Sequence, residues 1–351
     1  MRLIRNYTLL LLVIAGMFSC KKKDVIPEPL PDTSKEGMLV LHEGLFNQNN
    51  SSLNWLDLST GEMSEDLFLK VNNRLLGDVA NKMIAYGGKI YISVTTSSTV
   101  EIIHKKTFKS LQQLAFNYQN KSQQPRSLVG YKNSVFVTSY DGYVTEIDTT
   151  TLQIKSRLKV GKNPEGICEY NGDLYVANSG GLDAPNYDNT VLRLSTFPLA
   201  IQDTFVVGNN PIDVVSESFG NIYVAKRGDY SNDPSELIKI TPTGDIIPLG
   251  IPATTLSIQS DILYICFYDF NSGNAKVSTY NCTTQSTEND NFISGSNFTT
   301  LYGIIPFKTN EVIGLDAMNY TNSGYIRFFK NGQISKNFKV GLNPNSIIYY
   351  E

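Results

Sequence analysis

The sequence has 351 residues, a formal net charge of −3 and only two histidines, His42 and His104. This slightly acidic balance argues against a nucleic-acid partner, which would require a basic face. Two histidines are too few for a His-rich metal centre. Beyond Cys20 the chain has three cysteines, an odd number that excludes a complete disulfide framework. We expect Cys168 and Cys266, which lie in apolar contexts, to be small buried residues.

Residues 1–19 have the layout of an export signal. Two arginines precede an apolar run over residues 8–18, which is too short to span a membrane. Ser19 then precedes Cys20, and a small residue before a cysteine predicts a bacterial lipoprotein signal with Cys20 as the lipidated residue. The alternatives are an ordinary secretory signal with an incidental cysteine, or an N-terminal anchor. Removing residues 1–19 takes away the two arginines and no acid, which changes the net charge from −3 to −5.

Residues 20–36 are predicted to form a flexible tether. Three lysines follow Cys20, and prolines at positions 27, 29 and 31 follow them. Such a segment cannot bury apolar surface and favours extended conformations. We therefore expect a protein held to the outer membrane by its lipid, with the cell surface as the predicted side and the periplasmic side as the alternative.

An internal repeat runs through the chain after the tether. Residues 160–164, 207–211 and 340–344 each read Val-Gly-x-Asn-Pro. The first two are followed by an apolar strand, a turn that contains glycine, and a second apolar strand. Weaker copies of this anchor lie near residues 77, 124, 252 and 301, which makes seven. Shared among seven units, residues 38–351 give about 45 residues each, the length of a four-stranded propeller blade.

Six units are continuous, and the seventh is split between the two ends of the repeat region. Residues 345–350 form a lone first strand, whereas residues 38–42, 53–57 and 66–70 form three strands that lack a first one. Pairing these segments closes a ring and covers two sheet edges. We therefore predict an all-β, seven-bladed β-propeller of four-stranded antiparallel blades over residues 37–351, without a helix of useful length. A β-sandwich with extra domains would not need the repeated anchor.

Several stretches are similar to YncE-like propellers: the Val-Gly-x-Asn-Pro anchors, Leu-Tyr-Val-Ala-Asn-Ser-Gly-Gly at 174–181 and Tyr-Asp-Gly-Tyr-Val at 140–144. Residues 42–46, followed by Asn-Ser-Ser-Leu at 50–53, resemble the opening of YncE-like surface lipoproteins of Bacteroidetes, where Asn usually replaces His42. BtuG-like members of that group capture cobalamin and pass it to a TonB-dependent transporter. The resemblance implies a cell-surface lipoprotein, a cobalamin or other corrinoid ligand, and a transporter as partner.

The loops between second and third strands carry the candidate binding site, because in a propeller they share a face with the connections between blades. Six of the seven loops place an aromatic residue beside Asp or Asn, and the first-blade loop at 95–98 does not. Aromatic rings and polar acceptors suit a large ligand such as a corrinoid, although Asn, Asp and Gly also serve turn geometry. The candidate ligand-binding residues are Phe46, Asn47, Tyr140, Asp141, Asp183, Tyr187, Asp188, Arg227, Asp229, Tyr230, Tyr268, Asp269 and Tyr320.

Recognisable catalytic motifs are missing from the sequence, including Gly-x-Ser-x-Gly and His-Glu-x-x-His. Residues 269–274 depart from a calcium loop because glycine is fifth rather than sixth and Tyr280 stands at the twelfth position. We therefore predict a binding protein that is not an enzyme, with no metal and no cofactor apart from a corrinoid held as ligand. Two alternatives stay open: a protein-interaction propeller of the cell envelope, and a lactonase or lyase that uses acidic loop pairs such as Asp183 with Asp188.

Overall fold

The computed structural model describes residues 30–269 and 272–351. The chain divides into two units, residues 1–32 and 33–351, and the described helices and strands all lie in the second. The predicted export signal, the lipidation site Cys20 and most of the predicted tether lie outside the described residues. Within the described ranges, no helix is long and apolar enough to cross a membrane.

The described chain consists almost entirely of β-strands. In chain order the first elements are β1 (Gly37–His42), β2 (Ser52–Asp57), helix α1 (Leu67–Asn72), β3 (Ala80–Tyr86), β4 (Lys89–Val94), β5 (Thr99–His104), β6 (Ser110–Ala115), β7 (Asn117–Tyr118), β8 (Lys121–Ser122), β9 (Pro125–Tyr131), β10 (Ser134–Ser139), β11 (Tyr143–Asp148), β12 (Ile154–Lys159), β13 (Pro164–Tyr170), β14 (Asp173–Asn178), β15 (Thr190–Thr196) and β16 (Leu199–Val206). The later elements are β17 (Pro211–Ser216), β18 (Ile222–Lys226), β19 (Glu236–Ile240), β20 (Ile246–Pro248), β21 (Thr255–Gln259), β22 (Ile262–Tyr268), β23 (Ala275–Asn281), β24 (Ser286–Ser294), a 3-10 turn (Gly295–Asn297), β25 (Leu301–Lys308), β26 (Glu311–Asp316), β27 (Ser323–Lys330), β28 (Gln333–Leu342) and β29 (Pro344–Tyr350).

Seven antiparallel sheets form the blades of a propeller, which confirms the predicted fold. Blades 1 to 6 are the four-stranded sheets β3–β6, β9–β12, β13–β16, β17–β20, β21–β24 and β25–β28. Blade 7 has the order β2-β1-β29, so the last strand of the chain pairs with the first. The pairing runs from Gly37 opposite Tyr350 to His42 opposite Pro344. This seam closes the ring as predicted and covers the two sheet edges.

The seventh blade differs from the prediction in its outer part. Residues 66–70, expected to be a strand, lie in helix α1 and its N-cap, and the outer contact of β2 is a single bridge between Leu56 and Met63. Asp66 explains the difference, because its carboxylate accepts the backbone N–H groups of Phe68 at 3.0 Å and Leu69 at 3.3 Å. A capped first turn stabilises a helix over an extended strand. Phe68 is fully buried in the core between blades 7 and 1.

The glycine of the repeated anchor makes room for a polar side chain at the end of the second strand. A Cβ atom on Gly341 would lie 2.8 Å from the His42 ring, and one on Gly161 would lie 2.5 Å from the Asn178 amide. His42 and Asn178 are both the last residues of the second strands of their blades. In these two copies the glycine is therefore fixed by close packing, whereas Gly208 of the third copy also adopts a positive φ of 98°.

The asparagine of the anchor has a separate role, in backbone conformation and loop support. Asn163, Asn210 and Asn343 adopt φ angles of 44°, 59° and 54°, and asparagine tolerates this left-handed region better than most residues do. The side chains of two of them also hold the neighbouring loop. Asn163 donates to the Tyr140 carbonyl at 2.9 Å, and Asn343 donates to the Gly44 carbonyl at 2.9 Å.

The hydrophobic core is divided into clusters that lie between neighbouring blades. Tyr91 of blade 1 packs with Val135 and Val137 of blade 2, for example, and Tyr350 of the seam packs with residues of blades 7 and 1. Cys266 is buried as predicted, whereas Cys168 is only partly buried, and both are free thiols. Each blade thus depends on its neighbours for burial of its apolar faces.

Candidate functional site

The loops between second and third strands lie on one face with the connections between blades, as predicted. The link is a repeated hydrogen bond from the backbone N–H of the first loop residue to the carbonyl of the residue just before the first strand of the same blade, where the connection from the preceding blade ends. The pairs are Glu43 to Asn343, Thr95 to Val79, Tyr140 to Gln124, Ser179 to Asn163, Arg227 to Asn210 and Ala317 to Thr300. We call this surface the loop face.

A cavity of about 260 Å³ lies at the centre of the loop face. Nearly every blade contributes one residue to its lower wall. This residue lies at the start of the first strand, directly after the anchor proline or after the residue that replaces that proline. These equivalent residues are Asn81, Arg126, Glu165, Ile212, Thr254, Tyr302 and Asn345, and all but Asn345 line the cavity. Glu43, Tyr140, Arg227, Tyr268 and Tyr320, which come from the ends of second strands and from the loops, form its upper wall. We call it the central cavity.

One side of the central cavity is a carboxylate held by neutral donors. Glu43 accepts hydrogen bonds from the Tyr302 hydroxyl and from the Asn81 amide, the latter at 3.1 Å. Burial raises the pKa of Glu43, while these hydrogen bonds and the charge of Arg126 act in the opposite direction. The pKa of Tyr302 is also raised, by burial and by the adjacent carboxylate. This side therefore takes up a proton more readily than a carboxylate in water.

The other side of the central cavity is an ion pair that rests on a tyrosine ring. Arg126 Nε donates to Glu165 at 2.8 Å, and the Tyr140 hydroxyl donates to the second oxygen of Glu165 at 2.6 Å. The Arg126 guanidinium carbon lies 4.6 Å from the centre of the Tyr140 ring, a cation–π contact. Burial lowers the pKa of Arg126, but the charges of Glu165, Tyr140 and Glu43 and the hydrogen bond to Glu165 together outweigh it, so the net shift is upward. The arginine therefore remains charged.

Two further cavities adjoin the central one and share its walls. A cleft of about 300 Å³ next to blades 4 and 5 shares Arg227, Thr254 and Tyr268 with it. A cleft of about 290 Å³ above blades 2 and 3 shares Tyr140. We call the three adjoining cavities together the concave strip of the loop face; most of the side chains that line it are aromatic or polar.

Eight of the predicted binding residues line this strip. Four of them reach the central cavity: Tyr140, Arg227, Tyr268 and Tyr320. Tyr230 and Asp269 line the first cleft, and Asp141 and Asp183 line the second. The structure thus brings together predicted residues from blades 2 to 6.

The other five predicted residues lie outside the linings of these cavities. Phe46 is 69% exposed, Asn47 donates its backbone N–H to Asp78 at 2.9 Å, and the ring of Tyr187 lies 6.3 Å from that of Tyr230. The remaining two are carboxylates that stabilise their own loops.

Those two loop carboxylates are Asp188 and Asp229. Asp188 accepts the hydroxyl of Thr190 at 2.7 Å and the backbone N–H of Lys162 at 3.0 Å. Asp229 accepts three consecutive backbone N–H groups, from residues 231 to 233, at 2.8 to 2.9 Å. These backbone hydrogen bonds hold the pKa of Asp229 below its usual range. Turn geometry accounts for both carboxylates.

Sequence reasoning missed the lower wall of the central cavity, including Arg126, Glu165 and Tyr302. A signal was present in the repeat itself. Each first strand starts near the centre of the ring. The residue directly after an anchor proline, such as Arg126 after Pro125, therefore lines the central cavity. Comparing this one position across the seven repeats would have identified the wall.

Among the described residues, no group of three or more His, Cys, Asp or Glu side chains could hold a metal ion. Two acidic residues of the loops form ion pairs with lysines: Asp183 pairs with Lys162 at 2.5 Å, and Asp233 pairs with the buried Lys226.

Comparison with known proteins identifies the fold and leaves the family open. No protein-family model matches the sequence, and no curated protein is significantly similar to it. Among solved structures, a putative 6-phosphogluconolactonase from Bacteroides uniformis ATCC 8492 has a TM-score of 0.62 at 10% identity, over 90% of this chain and 99% of that chain. The computationally designed Ika8 protein has a TM-score of 0.56 at 13% identity, over 87% of this chain and 89% of that chain. Kuenenia stuttgartiensis hydrazine synthase has a TM-score of 0.57 at 12% identity, over 74% of this chain and 86% of that chain.

At such identities the likeness concerns the fold alone. Together with the seven sheets and the closing seam, it defines the class of this protein as a seven-bladed β-propeller.

Proposed function

We propose that this β-propeller captures a ligand on its loop face and does not transform it. The observation that carries the proposal is the concave strip of three adjoining cavities, which meet at Tyr140, Arg227 and Tyr268. Binding sites for small molecules are concave, with apolar and aromatic walls and a few fixed polar groups. The strip has this composition, and its polar groups are held in place by one another.

A corrinoid is the ligand we propose first. The resemblance to BtuG-like proteins implies it, and a flat ring with a fringe of amides matches a strip that alternates tyrosine rings with carboxylate and guanidinium groups. The proposal includes a lipid anchor at Cys20 in the outer membrane, exposure at the cell surface, and delivery of the ligand to a TonB-dependent transporter. Exposed aromatic residues of the loop face, such as Phe46 and Tyr230, would then face that transporter.

Calorimetric titration of the purified full-length protein with cyanocobalamin and with cobinamide tests this proposal. We expect stoichiometric binding that weakens by about tenfold in Tyr268→Ala, because this ring lines two of the three cavities. Tyr131→Ala is the matched control, since Tyr131 ends a first strand and packs against Phe197 away from the cavities. Absence of heat with both corrinoids, or equal weakening by both variants, would refute corrinoid capture on this face.

A protein-interaction platform is the second candidate, and two exposed apolar side chains favour it. Phe46 is 69% exposed and Leu182 is 65% exposed, and both belong to loops of the loop face. Exposed large apolar groups are frequent where proteins bind one another. Cross-linking in intact cells from a photoreactive residue placed at Phe46, which lies outside the three cavities, would favour this candidate if one protein partner were captured and the purified protein bound neither corrinoid.

A lactonase is the third candidate, and Glu43 favours it. This carboxyl group lies in the central cavity with its pKa raised by burial, as a general base requires. The Bacteroides uniformis protein of similar fold bears the name of such an enzyme. Hydrolysis of D-glucono-δ-lactone or its 6-phosphate by the wild type, abolished in Glu43→Gln, would replace capture with catalysis.

A further inference from the structure

Arg126 differs from the other arginines that pair with carboxylates in the described part of the chain. Arg74, Arg193 and Arg327 each use an Nη atom, at 2.8, 2.9 and 2.6 Å from Glu101, Asp203 and Asp316. Arg126 uses Nε alone to contact Glu165, at 2.8 Å. Within residues 30–269 and 272–351, neither Nη group of Arg126 has a hydrogen-bond acceptor.

The surroundings of Arg126 fix the plane of its guanidinium group. Tyr140 lies against one face, with its ring centre 4.6 Å from the guanidinium carbon, and Glu165 holds the Nε edge. The Arg126 side chain keeps 18% of its surface exposed and lines the central cavity. When one face and the Nε edge of a guanidinium are occupied, its Nη edge, with two parallel N–H donors, is left to bind another group.

We propose that the central cavity contains an oxyanion subsite, in which the Nη edge of Arg126 binds a carboxylate or phosphate group of the captured ligand. The inference rests on the proposed binding role of the loop face and specifies which chemical group enters its centre. Paired N–H donors match the two oxygens of such a group. Tyr140 and Glu165 are positioning residues, because they orient the guanidinium. Arg227, which lines the same cavity, adds a second positive charge.

Glu43 is the group that a bound oxyanion would meet across the cavity. The groups around it are Tyr302, Asn81, Arg126, Glu165 and Tyr320. Two of these neighbours are hydrogen-bond donors, and Arg126 is the one cation among them. Entry of a further negative charge therefore favours the protonated form of Glu43. Binding should be accompanied by proton uptake.

Titration of the full-length protein with 4-hydroxybenzoate, 4-hydroxybenzamide and inorganic phosphate tests the subsite. The first two probes have the same shape and differ in the oxyanion. We expect the carboxylate to bind at least about tenfold more tightly than the amide. Arg126→Lys keeps the positive charge but removes the paired N–H donors, so it should abolish most of this preference. Arg193→Gln, which alters an ion pair on the outer strands of blade 3, should leave the preference unchanged.

The source of the oxyanion is distinguished by the remaining probes. If inorganic phosphate binds and 4-hydroxybenzoate does not, and Arg126→Lys abolishes phosphate binding, the subsite belongs to a phosphate group. Tighter binding of cyanocobalamin than of cobinamide, which lacks the nucleotide phosphodiester, would agree with that assignment. Equal affinity for 4-hydroxybenzoate and 4-hydroxybenzamide without phosphate binding overturns the subsite. So does an unchanged preference in Arg126→Lys, provided that its melting temperature matches the wild type.

Failure of the subsite and failure of the proposed corrinoid capture remain distinguishable. Corrinoid binding that is weakened by Tyr268→Ala but indifferent to Arg126→Lys would leave capture standing without an oxyanion subsite. Oxyanion binding dependent on Arg126, together with no corrinoid binding, would keep the subsite and replace the ligand. The proton uptake is measured in two buffers of different ionisation enthalpy and should disappear in Glu43→Gln.

Discussion

His42 and Glu43 are neighbours in the chain but belong to two regions with opposite requirements. His42 ends strand β1 inside the closing seam and is fully buried, where its Nε2 accepts the Gly341 backbone N–H at 3.0 Å. Ser52 lies 3.3 Å from its Nδ1. Glu43, one residue further, turns into the central cavity and is held by Tyr302 and Asn81. The seam buries a polar group that stays neutral, whereas the cavity gathers groups that carry charge.

The contrast between seam and cavity separates the residues that stabilise the ring from those of the proposed binding site. Burial lowers the pKa of His42 to about 4, so the seam contains a neutral imidazole at physiological pH. Burial raises the pKa of Glu43, yet the cavity also contains Arg126 and Glu165 as an ion pair. Changes in the seam should therefore affect folding, and changes in the cavity should affect ligands.

The largest expected effect comes from removing an aromatic ring of the seam. Tyr350 is 6% exposed, and its ring centre lies 5.0 Å from that of Trp55 and 6.2 Å from that of Phe108. Tyr350→Ala should reduce the free energy of unfolding by about 3–5 kcal/mol, as aromatic truncations in cores do. Tyr320→Ala at the cavity rim, where the ring is 40% exposed, should cost less than about 1 kcal/mol. Urea unfolding of both variants would contradict the comparison if the losses were equal.

The second prediction concerns pH and the seam histidine. The folded-state pKa of His42 lies near 4 and the unfolded value is 6.5. The unfolded chain binds the extra proton between these values, so the contribution of His42 is fully present above pH 6.5 and is lost as the pH falls towards 4. The loss over this window is roughly 3 kcal/mol. Glu43 acts with the opposite sign, because its raised pKa favours the folded state at low pH and that contribution is lost as the pH rises.

The free energy of unfolding measured between pH 7 and pH 4.5 separates the two groups. His42→Asn is the matched variant, since Asn178 occupies the equivalent position in blade 3. We expect its pH dependence to be shallower than that of the wild type in this range. A wild-type curve that keeps the same slope after the substitution would show that the seam histidine is not the titrating group.

A smaller effect is expected where the repeat supports a loop of the cavity. Asn163 has a φ of 44° and donates to the Tyr140 carbonyl at 2.9 Å. Asn163→Ala should lower the free energy of unfolding by about 1–2 kcal/mol, through the positive φ and the lost hydrogen bond. Asn163→Gly keeps the φ accessible and removes only the side-chain hydrogen bonds, including the one that Asn163 accepts from the Leu182 backbone N–H at 3.1 Å. Its thermal unfolding should therefore lie between those of the wild type and the alanine variant. A glycine variant less stable than the alanine one would contradict this explanation.

The smallest effect on folding is expected at the exposed edge of the loop face. Phe46 is 69% exposed and lies outside the three cavities. Phe46→Ser should change the free energy of unfolding by less than about 0.5 kcal/mol. If the side chain contacts a partner, delivery of ligand to whole cells should decrease although titration of the purified protein with the ligand gives the wild-type affinity. A loss of purified-protein affinity would instead place Phe46 in the ligand site.

The sequence by itself determined the architecture, because a propeller repeats one local solution seven times. The glycine and asparagine of the Val-Gly-x-Asn-Pro anchor are fixed by a close contact and a backbone angle within one blade, so the pattern is visible in a single chain. The same regularity predicted the closure by the last strand. The repeat pattern gave a wrong prediction for residues 66–70. The apolar pattern there fits a strand and a helix equally well, and the cap at Asp66 favours the helix.

The site was determined only in part by the sequence, because a central cavity is assembled from residues far apart in the chain. Aromatic and acidic loop residues were visible as a recurring composition, and eight of them line the cavities. Composition did not show that Asp188 and Asp229 serve their own turns. Nor did it show that Arg126 and Glu165, one per blade, meet at 2.8 Å across a blade boundary. Closure of the ring makes that contact, since it points the start of every first strand at one axis.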